Sequence, residues 1–167
     1  MKIKSNCILM DEIDRQLLGG VVGSGRMTIA ALGDRVGLSA PAVHDRIHKL
    51  EAAGVIRGYT AILDPDQVER STAALVFLRL DGSGDERRRL EARLTASPDV
   101  LELHEVAGED CYMAKVRVSS PAGLASFLSQ LREEHAGLTS RSSVVLRSCF
   151  ERPLLWPVDQ PAPVGHP

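Results

Sequence analysis

Two short helical patterns on either side of a glycine, in residues 28–59, constrain the fold of this chain more than any other feature. Thr28 can cap the first helix, because a threonine hydroxyl accepts a bond from an unpaired N–H of the first turn. Apolar residues recur along that helix at helical spacing and would share one face: Ile29, Leu32 and Val36. Gly37 can adopt the positive φ that often follows a helix end. Ser39 can then cap a second helix, whose first turn tolerates Pro41.

The second helix separates apolar from polar side chains. Its buried stripe is predicted to be Val43, Ile47 and Leu50, and Gly54 ends it. The outward side chains would be Pro41, His44, Asp45, His48 and Lys49. This pattern predicts a helix-turn-helix whose second helix can read a DNA major groove. The same spacing also fits an αα-hairpin that merely packs in a core.

Two flanking segments favour the first alternative. A β-type run in residues 54–65, GVIRGYTAILDP, follows directly and suits a wing that contacts phosphates beside the groove. Upstream, Asp11 and Asp14 resemble a capping pair for a supporting helix. Four glycines within residues 19–25 weaken the far end of that helix, since each costs about 1 kcal/mol relative to alanine.

The spacing of these residues resembles that of a known family. DEIDRQLL at residues 11–18, followed by LSxxxVxxRIxxLExxGVIxGYxAxLDP at residues 38–65, is similar to the DNA-binding half of the Lrp/AsnC (feast/famine) transcriptional regulators. The likeness extends over roughly residues 11–151. It implies a sequence-specific DNA-binding regulator that responds to an amino acid or a related small metabolite.

The second half of the chain repeats a strand and helix unit. Strands are predicted at 73–80, 100–107, 111–118 and 140–150, and helices at 85–96 and 122–135. This order, βαββαβ, is the ferredoxin-like arrangement. The predicted fold class is therefore α+β, a winged helix-turn-helix followed by a ferredoxin-like, ACT-like domain for effector binding and dimerisation. We expect an arm at 1–10, a DNA-binding domain at 11–63, a linker at 64–72, a sensor domain at 73–152 and a Pro-rich tail at 153–167.

The first predicted strand points to self-association. Its sequence, AALVFLRL, is apolar on both faces, whereas two helices can cover only one face of a four-stranded sheet. A second copy would cover the other face, or the amino-terminal domain would fold back onto it. The family resemblance implies a homodimer that assembles to a tetramer or octamer.

Charge and cysteine content further limit the classes of protein to which this chain can belong. Residues 1–60 contain eight Lys and Arg and six Asp and Glu, and the remainder contains twelve Lys and Arg and sixteen Asp and Glu. A mildly basic amino-terminal part therefore precedes an acidic remainder. Three widely separated cysteines fit neither a disulfide framework nor a zinc site. The sequence contains no run resembling a secretory signal or a membrane span. We expect a cytoplasmic protein that does not associate with membranes.

The predicted DNA contacts lie on the second helix and just after it. Cationic side chains would bind phosphates, while hydroxyl, imidazole and carboxylate groups can reach base edges. Asp45 cannot bind a phosphate, so it would pair with Arg46 or Lys49 or accept a bond from a cytosine amino group. The predicted partner is double-stranded DNA, and the predicted contacts are Ser39, Pro41, His44, Asp45, Arg46, His48, Lys49 and Arg57.

A second candidate site is the segment VAGEDCY, residues 106–112, between two predicted strands. By itself this segment fits a solvated hairpin turn better than a binding site, and Gly108 would allow the backbone to turn there. The family resemblance implies instead that it lines an amino-acid pocket where dimers meet, with paired carboxylates facing the ammonium group of the ligand. The residues so implied are Val106, Gly108, Glu109, Asp110, Tyr112, Ser140 and Ser142.

Enzymatic alternatives have little support in the sequence. No nucleophile elbow, phosphate-binding loop, zinc-protease motif or dinucleotide fingerprint occurs. His104, in a predicted strand, fits a packed or hydrogen-bonded side chain better than a catalytic base. No catalytic residue, metal or cofactor is expected. Two alternatives remain, a sensing and assembly module without DNA binding, and an enzyme resembling the sirohaem decarboxylases, which share this architecture.

Overall fold

The computed structural model describes residues 9–151, which form two compact units. One unit extends to Ile62, and the other comprises Leu63–Phe150. Residues 1–8 of the predicted arm and the whole predicted tail, 153–167, lie outside the described residues.

The first unit contains three helices: α1 (Glu12–Gly23), α2 (Ile29–Val36) and α3 (Ala40–Ala52). Asp11 and Asp14 form the predicted capping box at the start of α1, since each side chain accepts a bond from the other's backbone N–H. The Thr28 hydroxyl accepts from the N–H of Ala31 at 3.2 Å, and Gly37 ends α2 at φ 71°. The predicted first cap and glycine end are therefore confirmed.

The buried stripes agree with the helical periodicity, although one cap differs from the prediction. The core of this unit consists of Leu17, Leu18, Leu32, Val43, Ile47 and Leu50. Ser39 occupies the N-cap position of α3, but its side chain makes no capping hydrogen bond. Pro41 lies in the first turn, where its missing N–H removes one of the donors that a cap would satisfy.

The predicted wing is not formed. Residues 54–63 run without a β-strand, and β-structure within the described residues begins at Thr72. A strand needs a second strand to satisfy its N–H and C=O groups, and the three-helix unit provides none. The run therefore has turns, bends and irregular backbone despite its β-type composition, and the wing is a correction to the sequence analysis.

The second unit is a four-stranded antiparallel sheet with two helices. In chain order it contains β1 (Thr72–Leu80), α4 (Gly84–Thr95), β2 (Val100–Glu105), β3 (Tyr112–Val118), α5 (Pro121–Glu134) and β4 (Leu138–Val144). The strand order is β2-β3-β1-β4, as expected for the ferredoxin-like arrangement. The predicted bounds of these helices and strands agree with the observed bounds within two residues, with one exception. Strand β4 ends six residues earlier than predicted, because its pairing partner β1 offers it no backbone hydrogen bonds beyond Ala73.

The sheet has one covered face and one open face. Tyr112, Ala114, Val116 and Val118 of β3 are buried and alternate with half-buried Met113, Lys115 and Arg117. The buried set packs with α4 and α5, whose core residues are Leu90, Leu94, Leu124, Phe127, Leu128 and Leu131. We call the opposite side, which carries Leu75, Phe77 and Met113, the open face.

Two further observations concern the described residues alone. None of the helices in residues 9–151 is long and apolar enough to cross a membrane. No three histidine, cysteine, aspartate or glutamate side chains in that same stretch come together as a metal site would require.

Candidate functional site

The polar face of α3 has the orientation that the sequence predicts. His44, Asp45 and His48 are exposed, as are Ser39, Pro41 and Lys49, while the apolar stripe points into the core. The Asp45 carboxylate lies 3.9 Å from Nδ1 of His44, and the expected pairing with Arg46 or Lys49 is not formed. We call this exposed surface of α3 the reading face.

Arg46 departs from its predicted role. Its guanidinium Nη1 donates to Oδ2 of Asp11 and to Oδ1 of Asp14, both at 2.7 Å, and only 29% of the side chain is exposed. In the chain without DNA, two carboxylates that the prediction of a phosphate contact did not include hold the Arg46 guanidinium against the start of α1. A guanidinium already bound to two carboxylates would have to break both bonds to reach DNA.

The acidic partners of Arg46 use all four carboxylate oxygens. One oxygen of each aspartate accepts a backbone N–H of the α1 capping box, and the other accepts from Arg46. The bond from the Asp14 N–H, followed by that from Arg46, holds the pKa of Asp11 below its usual value. The two carboxylates in turn raise the pKa of Arg46. We call this cluster the Arg46 bridge. Arg46 lies more than 30 residues from both aspartates in sequence, so local spacing does not reveal the contact.

The segment after α3 is tied to it by one side-chain contact. The hydroxyl of Tyr59 donates to Oε1 of Glu51 at 2.8 Å. Desolvation and this bond raise the pKa of Tyr59 to about 12, even though 56% of the residue is exposed. Arg57, between α3 and Tyr59, is exposed, as a phosphate contact requires.

The predicted sensor segment is the loop between β2 and β3. The Val106 N–H donates to the carbonyl of Cys111 at 3.0 Å and closes the loop, while the Cys111 N–H donates to the carbonyl of Leu78 at 2.8 Å. Gly108 has φ 142°, a backbone conformation that side chains disfavour, and Glu109 is exposed beside it. We call residues 106–111 the sensor loop.

Asp110 is bound to an arginine of the last strand. Nη2 of Arg141 donates to Oδ2 of Asp110 at 2.8 Å, and the guanidinium carbon lies 4.4 Å from the centre of the Phe77 ring. Arg141 pairs with Phe77 across β4 and β1, so its side chain crosses β1 on the open face. It remains 67% exposed. The pairing combines an ion pair with a cation–π contact.

The remaining predicted pocket residues of the strands lie on the side of the sheet opposite to Arg141. They are Tyr112, Ser140 and Ser142. Tyr112 is 3% exposed, and its hydroxyl donates to Oε1 of Glu91 on α4 at 2.6 Å. Desolvation and that bond raise its pKa to about 12. Ser140 and Ser142 pair with Leu78 and Val76, buried residues of the covered face. In the single chain these three residues therefore lie on the opposite side of the sheet from Arg141, the partner of Asp110, because side chains alternate along a strand.

His104 lies in an ionic cluster of the open face. Its Nε2 is 3.4 Å from Oε2 of Glu102, whose other oxygen is 3.5 Å from Nζ of Lys115. The exposed imidazole has a carboxylate beside it, and this geometry agrees with a hydrogen-bonded strand histidine.

Two family descriptions match the two units of the chain. The AsnC-type helix-turn-helix domain matches residues 10–51, and the Lrp/AsnC ligand binding domain matches residues 73–155. The first match contains the reading face, and the second contains the sensor loop and β4.

Individual proteins are similar over most of the chain. The HTH-type transcriptional regulator LrpA of Mycobacterium tuberculosis is 35% identical, over 84% of this chain and 93% of that protein. A feast or famine regulatory protein of M. tuberculosis, solved in complex with L-methionine, superposes with a TM-score of 0.77 at 33% identity and covers 88% of this chain and 99% of its own. A transcriptional regulator of Neisseria meningitidis, solved with L-Met, gives a TM-score of 0.78 at 27% identity, covering 85% and 93%.

Proposed function

The chain belongs to the Lrp/AsnC family of transcriptional regulators, and from this premise we propose that α3 reads DNA and that the sensor loop binds an amino acid. The observation that carries the first part is the reading face. A helix that buries Val43, Ile47 and Leu50 while exposing a continuous row of polar side chains suits insertion into a major groove.

The side chains of the reading face divide into two roles. Lys49 on α3 and Arg57 after it would neutralise phosphates and supply affinity that depends on salt. His44 and His48 would reach base edges, and Asp45 would accept from a cytosine amino group. Ser39 and Pro41, at the start of α3, would lie against the backbone where helix N-termini approach phosphates.

DNA binding is tested with fluorescent duplexes from the region upstream of the protein's own gene. Anisotropy is measured at several salt concentrations, with a scrambled duplex of equal length as the reference. We expect His48→Ala to weaken binding to the preferred duplex by about tenfold and to leave the scrambled duplex unaffected. Equal losses on both duplexes would make His48 a backbone contact. Absence of binding to every duplex at low salt would favour the sensing module without DNA binding.

The second part of the proposal concerns the pair of Asp110 and Arg141. A free amino acid carries an ammonium and a carboxylate, which are the counter-ions of these two groups. The ligand could exchange for the existing ion pair, its carboxylate on Arg141 and its ammonium on Asp110 with Glu109 nearby. The relatives solved with L-methionine support an amino acid as the ligand class.

Calorimetric titration with L-methionine, followed by the other amino acids, tests this site. Asp110→Asn and Arg141→Met should each weaken ligand binding by at least about tenfold, because each leaves one charge of the ligand unpaired. Arg79→Met is the matched control, since Arg79 is an exposed arginine whose partner is Asp81. Unchanged affinity in both test variants would move the ligand to another site.

The open face supports the proposed homodimer. Leu75, Phe77 and Met113 are only half-buried in the single chain, and a second copy could cover them. Light scattering should show that Leu75→Asp converts a dimer to a monomer. A dimer that survives this change would use another surface. Any ligand effect on DNA binding must then come from different ligand affinities of two assembly states, which the same measurement with and without L-methionine follows.

A further inference from the structure

Arg46 lies beside the reading face but is directed away from it, and we propose that the Arg46 bridge positions that face. In this role Arg46 determines how well the protein discriminates between DNA sequences without contacting DNA itself. The inference rests on the proposed reading of DNA by α3, and it assigns Asp11 and Asp14 a part in that function.

The geometry of the bridge restrains rotation of α3 about its own axis. Val43, Ile47 and Leu50 hold the helix by apolar contacts, which have little directional preference. The two bonds from Arg46, at 2.7 Å each, are charge-assisted and directional. Their acceptors are in turn fixed by the capping box of α1, so the bridge connects α3 to a rigid helix start.

A small rotation would be sufficient to disturb base reading. Side-chain tips lie about 5–6 Å from a helix axis, so a turn of about 10° moves them by about 1 Å. Hydrogen bonds to base edges tolerate a range of only about half an ångström. Contacts between flexible cations and phosphates tolerate such a shift. Loss of the bridge should therefore lower sequence discrimination and leave general DNA affinity nearly unchanged.

The burial of the bridge agrees with this role. The Asp14 side chain is only 17% exposed and that of Arg46 29%, whereas that of Asp11 is 51% exposed. The Arg46–Asp14 half of the bridge is therefore screened by salt less than a surface pair. Its effect on DNA preference should therefore persist at physiological ionic strength.

Asp14→Asn separates positioning from simple electrostatics. The asparagine oxygen can still accept the capping bond, so α1 keeps its start. Removing a negative charge from the DNA-binding unit should, by electrostatics alone, strengthen binding to all DNA. Positioning predicts a different result, a loss of about tenfold in the ratio of preferred to scrambled duplex affinity. Asp34→Asn is the matched control, because Asp34 is an exposed aspartate of α2.

Arg46→Met gives the complementary test on the full-length protein. It retains the apolar stem and removes the charge, and we expect the same loss of discrimination with an unchanged salt slope. Arg57→Met, which removes an exposed arginine, should instead reduce the salt slope by about one unit. Circular dichroism confirms that the helices remain folded; if Arg46→Met unfolds, the decision rests on Asp14→Asn.

The outcomes distinguish the inference from the proposed function. Wild-type protein that binds no duplex would overturn both. Wild-type protein that discriminates, together with an Asp14→Asn variant whose discrimination is unchanged or which binds all DNA more tightly, would overturn the bridge as a positioning device and leave DNA reading intact. A reduced salt slope in Arg46→Met would show that Arg46 contacts phosphates.

Discussion

Replacing Tyr112 with phenylalanine distinguishes a structural role for this side chain from a role in ligand binding. The substitution keeps the buried ring, which is 3% exposed, and removes the hydroxyl that donates to Glu91 at 2.6 Å. A hydrogen bond to a charged group contributes about 1.5–3 kcal/mol to stability. Glu91 is half-buried and can regain water, so we expect a loss near the lower end, about 1–2 kcal/mol.

Scanning calorimetry of the full chain measures this loss. For a unit the size of Leu63–Phe150, each kcal/mol lowers the midpoint temperature by about 4–8 °C. Tyr59→Phe is the matched control, since it removes an equivalent bond to a glutamate from a residue that is 56% exposed. That change should cost less than about 0.5 kcal/mol.

The titration of Tyr112 gives a second measure of the same bond. Burial and the Glu91 contact raise its pKa from the ordinary 10.0 to about 12. The folded protein therefore keeps a proton that the unfolded chain loses. The stabilisation that comes from the raised pKa of Tyr112 is fully present below pH 10 and is lost as the pH rises toward 12. Because the chain has two tyrosines, phenolate absorbance in Tyr59→Phe reports Tyr112 alone.

Two results would refute this reasoning. Equal stability losses in Tyr112→Phe and Tyr59→Phe would mean that burial of the hydroxyl contributes nothing. Unchanged stability of Tyr112→Phe with loss of amino-acid binding would place the hydroxyl in the ligand pocket, as the family resemblance implies, and would require β3 to present it differently.

Three other changes test separate parts of the structure. Leu131→Ala, at a residue with no exposed surface, should cost about 2–5 kcal/mol in the sheet unit, measured by urea unfolding. Gly108→Ala should destabilise the sensor loop by about 1 kcal/mol because its φ is 142°, whereas Gly25→Ala, where an added methyl group meets nothing within 4 Å, should not. Arg57→Ala should weaken binding to preferred and scrambled duplexes alike, with a smaller salt slope by anisotropy.

Most of the fold follows from local patterns in the sequence. Helical spacing identifies the buried stripe of α3, and glycine and hydroxyl residues mark the ends of α2. Strict alternation along β3 predicts which of its side chains are buried. These features depend on residues close in sequence, and for this reason they can be predicted from one chain.

The errors arise where the outcome depends on a distant partner. The run after α3 has strand composition but nothing to pair with, and β4 ends where β1 stops offering a ladder. Tyr112 lies on the covered face with Ala114 in the single chain, whereas the family resemblance implies a contact with the ligand. The sensor loop could be located from its glycine and acids, whereas the Asp110 contact with Arg141, 31 residues away, could not.

If Arg46 acts as the proposed bridge, it supplies no phosphate contact, and the reading face would have to bind DNA with one cation fewer. The face carries Lys49 and the acidic Asp45, so in the proposed complex little net positive charge would meet the DNA backbone there. Base contacts would then provide a larger share of the affinity, and base contacts depend on side-chain position more strictly than phosphate contacts do. In the proposed bridge Arg46 is bound to Asp11 and Asp14 and would hold the helix in place instead of contacting a phosphate. A reading face that depends on precise position therefore gains more from a fixed Arg46 than from one more cation.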